Sequence, residues 1–334
     1  MRVEPNGVRF DSARSRGHVE SYFLKVNDPV RPRALWLKST ILHRRGTPGE
    51  SAIAEAWAVL FDRDRGHTAH KTTTPIARAH FGAGPDLDVE VAGCALSSTR
   101  ARGSLGDLEW DLVISPHAQP LFVYGHSRMY TGKLPSQKNL SPIPDLTVSG
   151  TLRLRGETWD VTEWRGSLGH NWGSRHTHLY AWGQVTLWDG VGTSPENASD
   201  LVFEGATGRV AIGPIVTPPL TVLSVRWRGV HYDWNALADV RRNKACIHDC
   251  RRWTFSGENE SGTIEGELEA GTNDFVGLGY ENPDGKMTYC LNSKLARARI
   301  RLEVSGRAPF EATSRAAALE IGTHDPKHGV TMVA

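Results

Sequence analysis

The sequence predicts an all-β protein built from antiparallel strands. Short runs rich in Val, Ile, Thr, Trp and Tyr recur along its 334 residues, cut by Gly, Pro, Asn and Asp. Few segments sustain the 3.6-residue period of an amphipathic helix. The stretch 164–188 alternates in its second half. His178, Tyr180, Trp182, Gln184, Thr186 and Trp188 share one strand face, while Leu179, Ala181, Gly183, Val185 and Leu187 share the other. The first face is aromatic with polar tips, like a pocket wall; it equally fits a buried strand with satisfied polar ends. The second is small and apolar, suited to packing on another layer.

A chain of this length is long for one core, so two domains or one large double-layered unit are expected. Hydrophobic residues make up 39% and charged residues 23%, which fits a globular protein rather than a disordered one. The net charge is +2 and the arginines are scattered, so nothing points to nucleic acid. No apolar run is long enough to cross a bilayer as a helix, and the first residues lack the apolar core of a secretory signal. A cytoplasmic location is expected, with peripheral membrane contact open to a protein that handles a lipophilic ligand. Cys94, Cys246, Cys250 and Cys290 are too few for a disulfide scaffold. Cys246, His248 and Cys250 form one short ligand-like set where a structural zinc site shows two, so reduced thiols and no metal are expected.

Taken in order, residues 21–26, 34–43, 54–61 and 67–74 read as successive strands. Asn27-Asp28-Pro29, Gly46-Thr47-Pro48-Gly49 and the charged loop 62–66 separate them. In the third strand Ile53, Glu55, Trp57, Val59 and Phe61 share a face, opposite Ala52, Ala54, Ala56 and Ala58. A lone carboxylate in that setting is either desolvated, and so an acid near neutral pH, or paired with a basic side chain such as Lys38 on the neighbouring strand. Residues 87–94, 95–102, 108–115 and 121–130 continue the strand pattern. Residues 134–144 read as a proline-rich loop, and 146–155 with 157–161 as a hairpin about Gly156. Gly166, Gly169 and Gly173 mark tight turns or close backbone approach.

Residues 189–199 read as a polar surface loop and 201–204 as a short strand. The proline-rich 213–219 breaks regular structure, and two domains are expected, 1–208 and 209–334. Beyond the break, 221–227, 252–256, 262–268 and 287–304 read as strands, and 234–242 as a short helix. Residues 295–304 alternate so as to expose a basic face. No repeat of short fixed period is present, and no glycine-rich nucleotide loop or GxSxG elbow.

Trp164-Arg-Gly-Ser-Leu-Gly169-His170-Asn171-Trp172-Gly173, followed by Tyr180-Ala-Trp182-Gly-Gln184, carries a resemblance. It resembles the signature of the lipocalin-like family that includes carotenoid hydratases (hydroxyneurosporene synthases) and AttH-type proteins. Glu20-Ser-Tyr22-Phe-Leu-Lys25 with Ala34-Leu-Trp36 is similar to that family's opening strands, and Pro142-Ile-Pro144-Asp-Leu-Thr-Val-Ser-Gly150 to the start of its second half. The likeness covers residues 17–208, and the remainder only in strand content. It implies two packed lipocalin-like antiparallel β-barrel domains and a lumen for a long apolar molecule. Among the family's activities is hydration of a terminal isoprenoid double bond; tocopherol cyclase and fungal Diels–Alderase barrels are distantly similar. Shared fold does not fix chemistry.

Hydration or cyclisation of an isoprenoid starts with protonation of carbon. A carboxylic acid kept neutral by a dry pocket delivers the proton, and aromatic faces stabilise the cation. The resemblance assigns catalytic positions to His170, Trp172 and Glu204. Here glutamate stands where the family has aspartate, and Val202 where it has tyrosine. Glu55 is the second candidate acid. Tyr22, Trp36, Trp57, Tyr180, Trp182 and Gln184 are the candidate substrate-binding residues, and His170 or Gln184 would place the water. His170 beside a glycine-rich turn equally fits a backbone hydrogen bond. His176 and His178 form an HxH pair without a clear third metal ligand. The expected function is cofactor-independent hydration or cyclisation of a lipophilic, isoprenoid-like substrate. A non-catalytic carrier and a shape-guided pericyclase are the alternatives.

Overall fold

The computed structural model describes residues 3–13, 16–189, 200–209, 211–212 and 215–333. The surface loop expected over 189–199 lies outside the described residues except for Asp189. The chain is nearly all strand, in two large antiparallel sheets. Among the described residues no helix is long and apolar enough to cross a membrane.

The first sheet contains β1 (His18–Asn27), β2 (Arg33–His43), β3 (Ile53–Asp62), β4 (Thr68–Pro75), β5 (His80–Phe81), β6 (Asp88–Val91), β7 (Cys94–Ser97), β8 (Arg100–Leu105), β9 (Leu108–Pro116), β10 (Gln137–Leu154) and β11 (Glu157–Gly173). Their order is β4-β3-β2-β1-β11-β10-β9-β8-β7-β6-β5. A short helix, α1 (Arg128–Thr131), precedes β10. The second half contains β12 (Leu179–Val185), β13 (Val202–Arg209), β14 (Ala211–Ile212), β15 (Ile215–Val216), β16 (Leu220–Trp227), β17 (Val230–Trp234), α2 (Leu237–Arg242), β18 (Lys244–His248), β19 (Arg252–Asn259), β20 (Gly262–Glu269), β21 (Val276–Glu281), β22 (Met287–Val304) and β23 (Phe310–Thr323). Its sheet runs β17-β16-β13-β12-β23-β22-β20-β19-β18, with β21 on β22 and β14–β15 as a separate pair. The strands thus change sheet between Gly173 and Leu179, and residue 208 falls near the end of β13.

Both sheets curl. His70 of β4 reaches Asp107, at the β8–β9 turn, at 2.5 Å. In the second half the Trp234 indole of β17 donates to the Gly262 carbonyl at 2.9 Å, and the Asn259 amide to the Asp233 carbonyl at 2.9 Å. Strand alternation then fills two kinds of space. On β3, Ala54, Ala56 and Ala58 enter the interior of the first sheet, while Trp57, Val59 and Phe61 enter the layer between the sheets. On β1, Tyr22, Leu24 and Val26 face the interior and Phe23 faces the layer. On β12, Ala181 and Val185 pack into the second interior, while Trp182 enters the layer. The alternation expected for these strands is observed as far as Val185, where β12 ends; Trp188 packs in the second interior with Ala181 and Val185, not on the Trp182 face.

Several expectations are corrected. Residues 164–173 make no turn; they continue β11. Gly166, Gly169 and Gly173 serve close approach instead: a Cβ would fall on the Lys25 carbonyl, the Phe23 ring and the Ser136 carbonyl, respectively. Residues 137–144 are not a loop but the start of β10. Pro142 and Pro144 lie where its register against β11 slips, between Leu140 and Ile143 and between Ile143 and Leu146. Proline has no N–H for the ladder and is tolerated at such irregularities. Residues 121–130 are not a strand; they form one bridge, Leu121 to Ser141, and lead into α1. Residues 87–94 break at Ala92-Gly93, both at positive φ, into β6 and β7. The basic face of 295–304 is exposed as expected, with Arg299 paired to Glu311 and Arg301 to Glu303.

Candidate functional site

A cavity of about 180 Å³ lies between the two sheets. The interiors of both curled sheets are packed with side chains, so this cavity lies between the sheets and not inside a barrel, where a lumen was expected. Phe23 (β1), Tyr180 and Trp182 (β12) and Tyr280 (β21) supply its aromatic wall, and Ala206, Leu220 and Val222 its aliphatic wall. Phe23 meets Trp182 edge to face, ring centroids 5.6 Å apart. Tyr124, Met129 and Pro135, on the segment between β9 and β10, cover it. The polar groups reaching the cavity include Gln137, Asn139, Asn171, His176, Lys38 and Glu320.

Glu204 sits behind this wall with no exposed surface. Antiparallel pairing of β12 and β13 sets it opposite Gln184, and so on the face that Trp182 shares. Its Oε1 accepts from the Asn139 amide at 2.8 Å and the Trp182 indole at 3.1 Å. Its Oε2 lies 2.6 Å from the Ser141 hydroxyl. Burial pushes its pKa above the ordinary carboxylate value; the bonds from Ser141, Trp182 and Asn139 oppose the rise but do not cancel it. Indole and amide N–H groups only donate, whereas a hydroxyl donates or accepts. A proton on this carboxyl therefore belongs on Oε2, facing Ser141. Asn139 and Trp182, not Glu204 itself, border the cavity.

The other candidates fall into three places. His170, Trp172 and Tyr22 lie on the opposite face of β1 and β11 from Phe23 and Asn171, away from the cavity. The His170 ring is fully buried, stacks on Tyr22 with centroids 4.1 Å apart, and places its two nitrogens 2.7 Å from the Pro5 carbonyl and 2.9 Å from Glu20. Glu20 also accepts from His18 and from the backbone N–H groups of Arg9 and Phe10. Burial alone would raise its pKa, but the bonds from His170 and His18 win and lower it to about 2. This cluster ties residues 5–10 across one end of the first sheet.

Glu55 is held by Lys71 at 2.7 Å and Thr40 at 3.1 Å, so the ion-pair alternative describes its geometry, with Lys71 as the partner rather than Lys38. Trp36 and Trp57 are buried in the layer beside the cavity without bordering it. Gln184 donates to the Pro144 carbonyl at 3.1 Å. Of the motif residues and the acid matched with them, the structure brings Asn171, Tyr180, Trp182 and Glu204 to the cavity or its wall.

The sequence reading missed the opposite, charged end. Glu320 of β23 bonds Lys294 at 2.7 Å and Asn292 at 3.2 Å, with the Cys290 thiol at 3.6 Å. Burial pushes that thiol up to about 12. Lys38 and His176 stand beside it. Burial, then the charge of Lys38, lowers His176 to about 3, so its ring is neutral. A signal existed: Lys38 shares a strand face with Trp36, and Glu320 follows the apolar run 316–319.

No family model matches the chain. Two curated relatives, uncharacterized proteins of two Mycobacterium tuberculosis strains, are each 24% identical over 298 residues, spanning 87% of this chain and 82% of theirs. Among solved structures, an AttH candidate from Nitrosomonas europaea aligns with a TM-score of 0.58 at 11% identity, over 96% of this chain and 98% of its own. CghA with Sch210972 gives 0.56 at 11% identity, over 96% and 94%. Kievitone hydratase from Nectria haematococca gives 0.54 at 10% identity, over 92% and 89%. The fold is AttH-like.

Proposed function

We propose that this protein is a hydratase- or cyclase-type enzyme for a lipophilic, isoprenoid-like substrate bound between the sheets, with Glu204 as its proton source. The observation that carries the reading is a fully buried carboxyl with a raised pKa and neutral hydrogen-bond partners at an aromatic wall. One of the fold neighbours is a hydratase by name. In the proposed step an alkene π pair takes the Glu204 proton, forming a C–H bond and leaving a carboxylate. The faces of Phe23, Tyr180 and Trp182 stabilise the cation. Water, placed by Asn139 or Asn171, or a second alkene closes the reaction, and the released proton returns to Glu204. Asn139 and Trp182 screen Oε1 from the cavity while the proton sits on Oε2 against Ser141, so transfer needs one of them to move and the carboxyl to turn, or a relay through Ser141 and water.

That same screen favours a second reading, a shape-guided reaction without acid help. Glu204→Gln separates the two. Isoprenoid alkenes are incubated with the protein and analysed by mass spectrometry for hydrated or isomeric products. Loss of product with ligand binding kept supports the acid. A largely kept rate, abolished instead by Ala206→Trp, supports the shape-guided reading. Binding without any product leaves a carrier.

A further inference from the structure

Lys38 is a charged lining group that the proposed reaction does not use. It is buried and lines the cavity, on the same face of β2 as Trp36 in the layer beside it. Its Nζ makes no hydrogen bond or ion pair among the described residues. It faces the Tyr280 ring at 3.7 Å and the Trp36 ring at 5.6 Å. The nearby carboxylates are already engaged, Glu320 by Lys294 and Asn292, Glu55 by Lys71 and Thr40. Lys294 adds like charge, and a third buried lysine, Lys25, bonds the Ala316 carbonyl at 3.2 Å. A buried ammonium without an anionic partner is costly, and a cavity-facing one is satisfied by an anion that enters.

We propose that Lys38 anchors an ionised oxygen on the ligand, so that the molecule taken is a lipophilic acid whose chain lies along Phe23, Trp182 and Val222. This rests on the cavity being the ligand site and adds the class of head group. The recognising cation titrates within reach: burial lowers Lys38 to about 8, with Glu320, Cys290 and Glu55 pulling upward and Lys294 downward. Neutral His176 and the Tyr180 and Tyr280 hydroxyls complete its surroundings.

The test compares decanoate, decanol and methyl decanoate by calorimetric titration of the full-length protein, below their aggregation concentrations. Decanoate is expected to bind at least about tenfold more tightly than either neutral analogue. Its affinity should fall as pH rises past 8, where Lys38 loses its charge. In Lys38→Met the preference should vanish while decanol binding stays. Without ligand that variant should melt no lower than the parent, because it loses an uncompensated charge; Lys38→Gln repeats the comparison should Met pack badly. Equal affinity for decanoate and decanol, or a preference that survives in Lys38→Met, overturns the anchor alone. Binding that persists in Ala206→Trp, or no binding of any of the three, overturns the cavity reading and the anchor with it.

Discussion

In the first half β1 lies beside β11, the last strand of its sheet; in the second, β12 lies beside β23. Each half therefore runs outward as one meander, returns as another and joins first strand to last. The interiors differ. The second is filled by rings and branched chains, with Phe203 stacked on Phe255 at 5.0 Å and Trp253 against Phe255 at 4.5 Å. The first is apolar along most of its length but ends in Glu20, His170, His18 and Tyr22. One connectivity thus accepts an oily filling or an ionic plug, provided each buried polar atom finds its partner. The same contrast separates the two fully buried glutamates. Glu20 faces histidines and backbone donors and is held as a carboxylate; the hydrogen-bond partners of Glu204 are neutral, and burial outweighs them and the charge of Arg226 to hold it toward the acid.

The comparison breaks most visibly at the oily end. Trp253→Ala should cost about 3–5 kcal/mol in urea unfolding, since no neighbouring element can collapse into the space. Glu20→Gln should cost about 3 kcal/mol by the same measurement, because two histidines lose their anion inside the protein. The Glu20 contribution is whole above pH 4.5 and is lost as pH falls toward 2, so acid unfolding of the parent should steepen there and the variant should lack that step. Gly169→Ala should cost about 1–3 kcal/mol, as the Phe23 ring must move; ligand affinity should change too, since that ring borders the cavity.

Glu204→Gln should be the mildest for stability, within about 1 kcal/mol. A glutamine oxygen still accepts from Asn139 and Trp182, and its amide donates to Ser141. The sign of its pH dependence is opposite to that of Glu20. A raised folded pKa favours the native state at low pH and loses that advantage as pH rises through it. Unfolding curves should therefore show the variant gaining on the parent as pH increases. The same substitution at two buried glutamates should then destabilise one variant and, on the acid reading, leave the other as stable but without turnover.

Where a strand alternates cleanly, the sequence displays its two faces, as β3 and β12 do, and so Tyr180 and Trp182 were readable as wall residues. The glycines of 166–173 were ambiguous because turning and close approach demand the same residue; only the partner strand, with the Phe23 ring and the Lys25 carbonyl, decides. Pro142 and Pro144 hid β10, since a bulge depends on what lies across the ladder. Glu204 was found through resemblance, but its partners Asn139 and Ser141 come from a strand more than sixty positions away. His170 and Glu20 are 150 positions apart. Such pairs are made by register between distant strands, which local pattern does not carry.

The cavity takes Phe23, Lys38 and Asn139 from one sheet and Tyr180, Trp182 and Glu320 from the other. Its dimensions are therefore set by how the two units dock. A slight slide or rotation at that seam would reshape the chamber while both hydrophobic fillings stayed as they are. Lineages with this architecture have a route to new guest molecules that leaves foldability untouched.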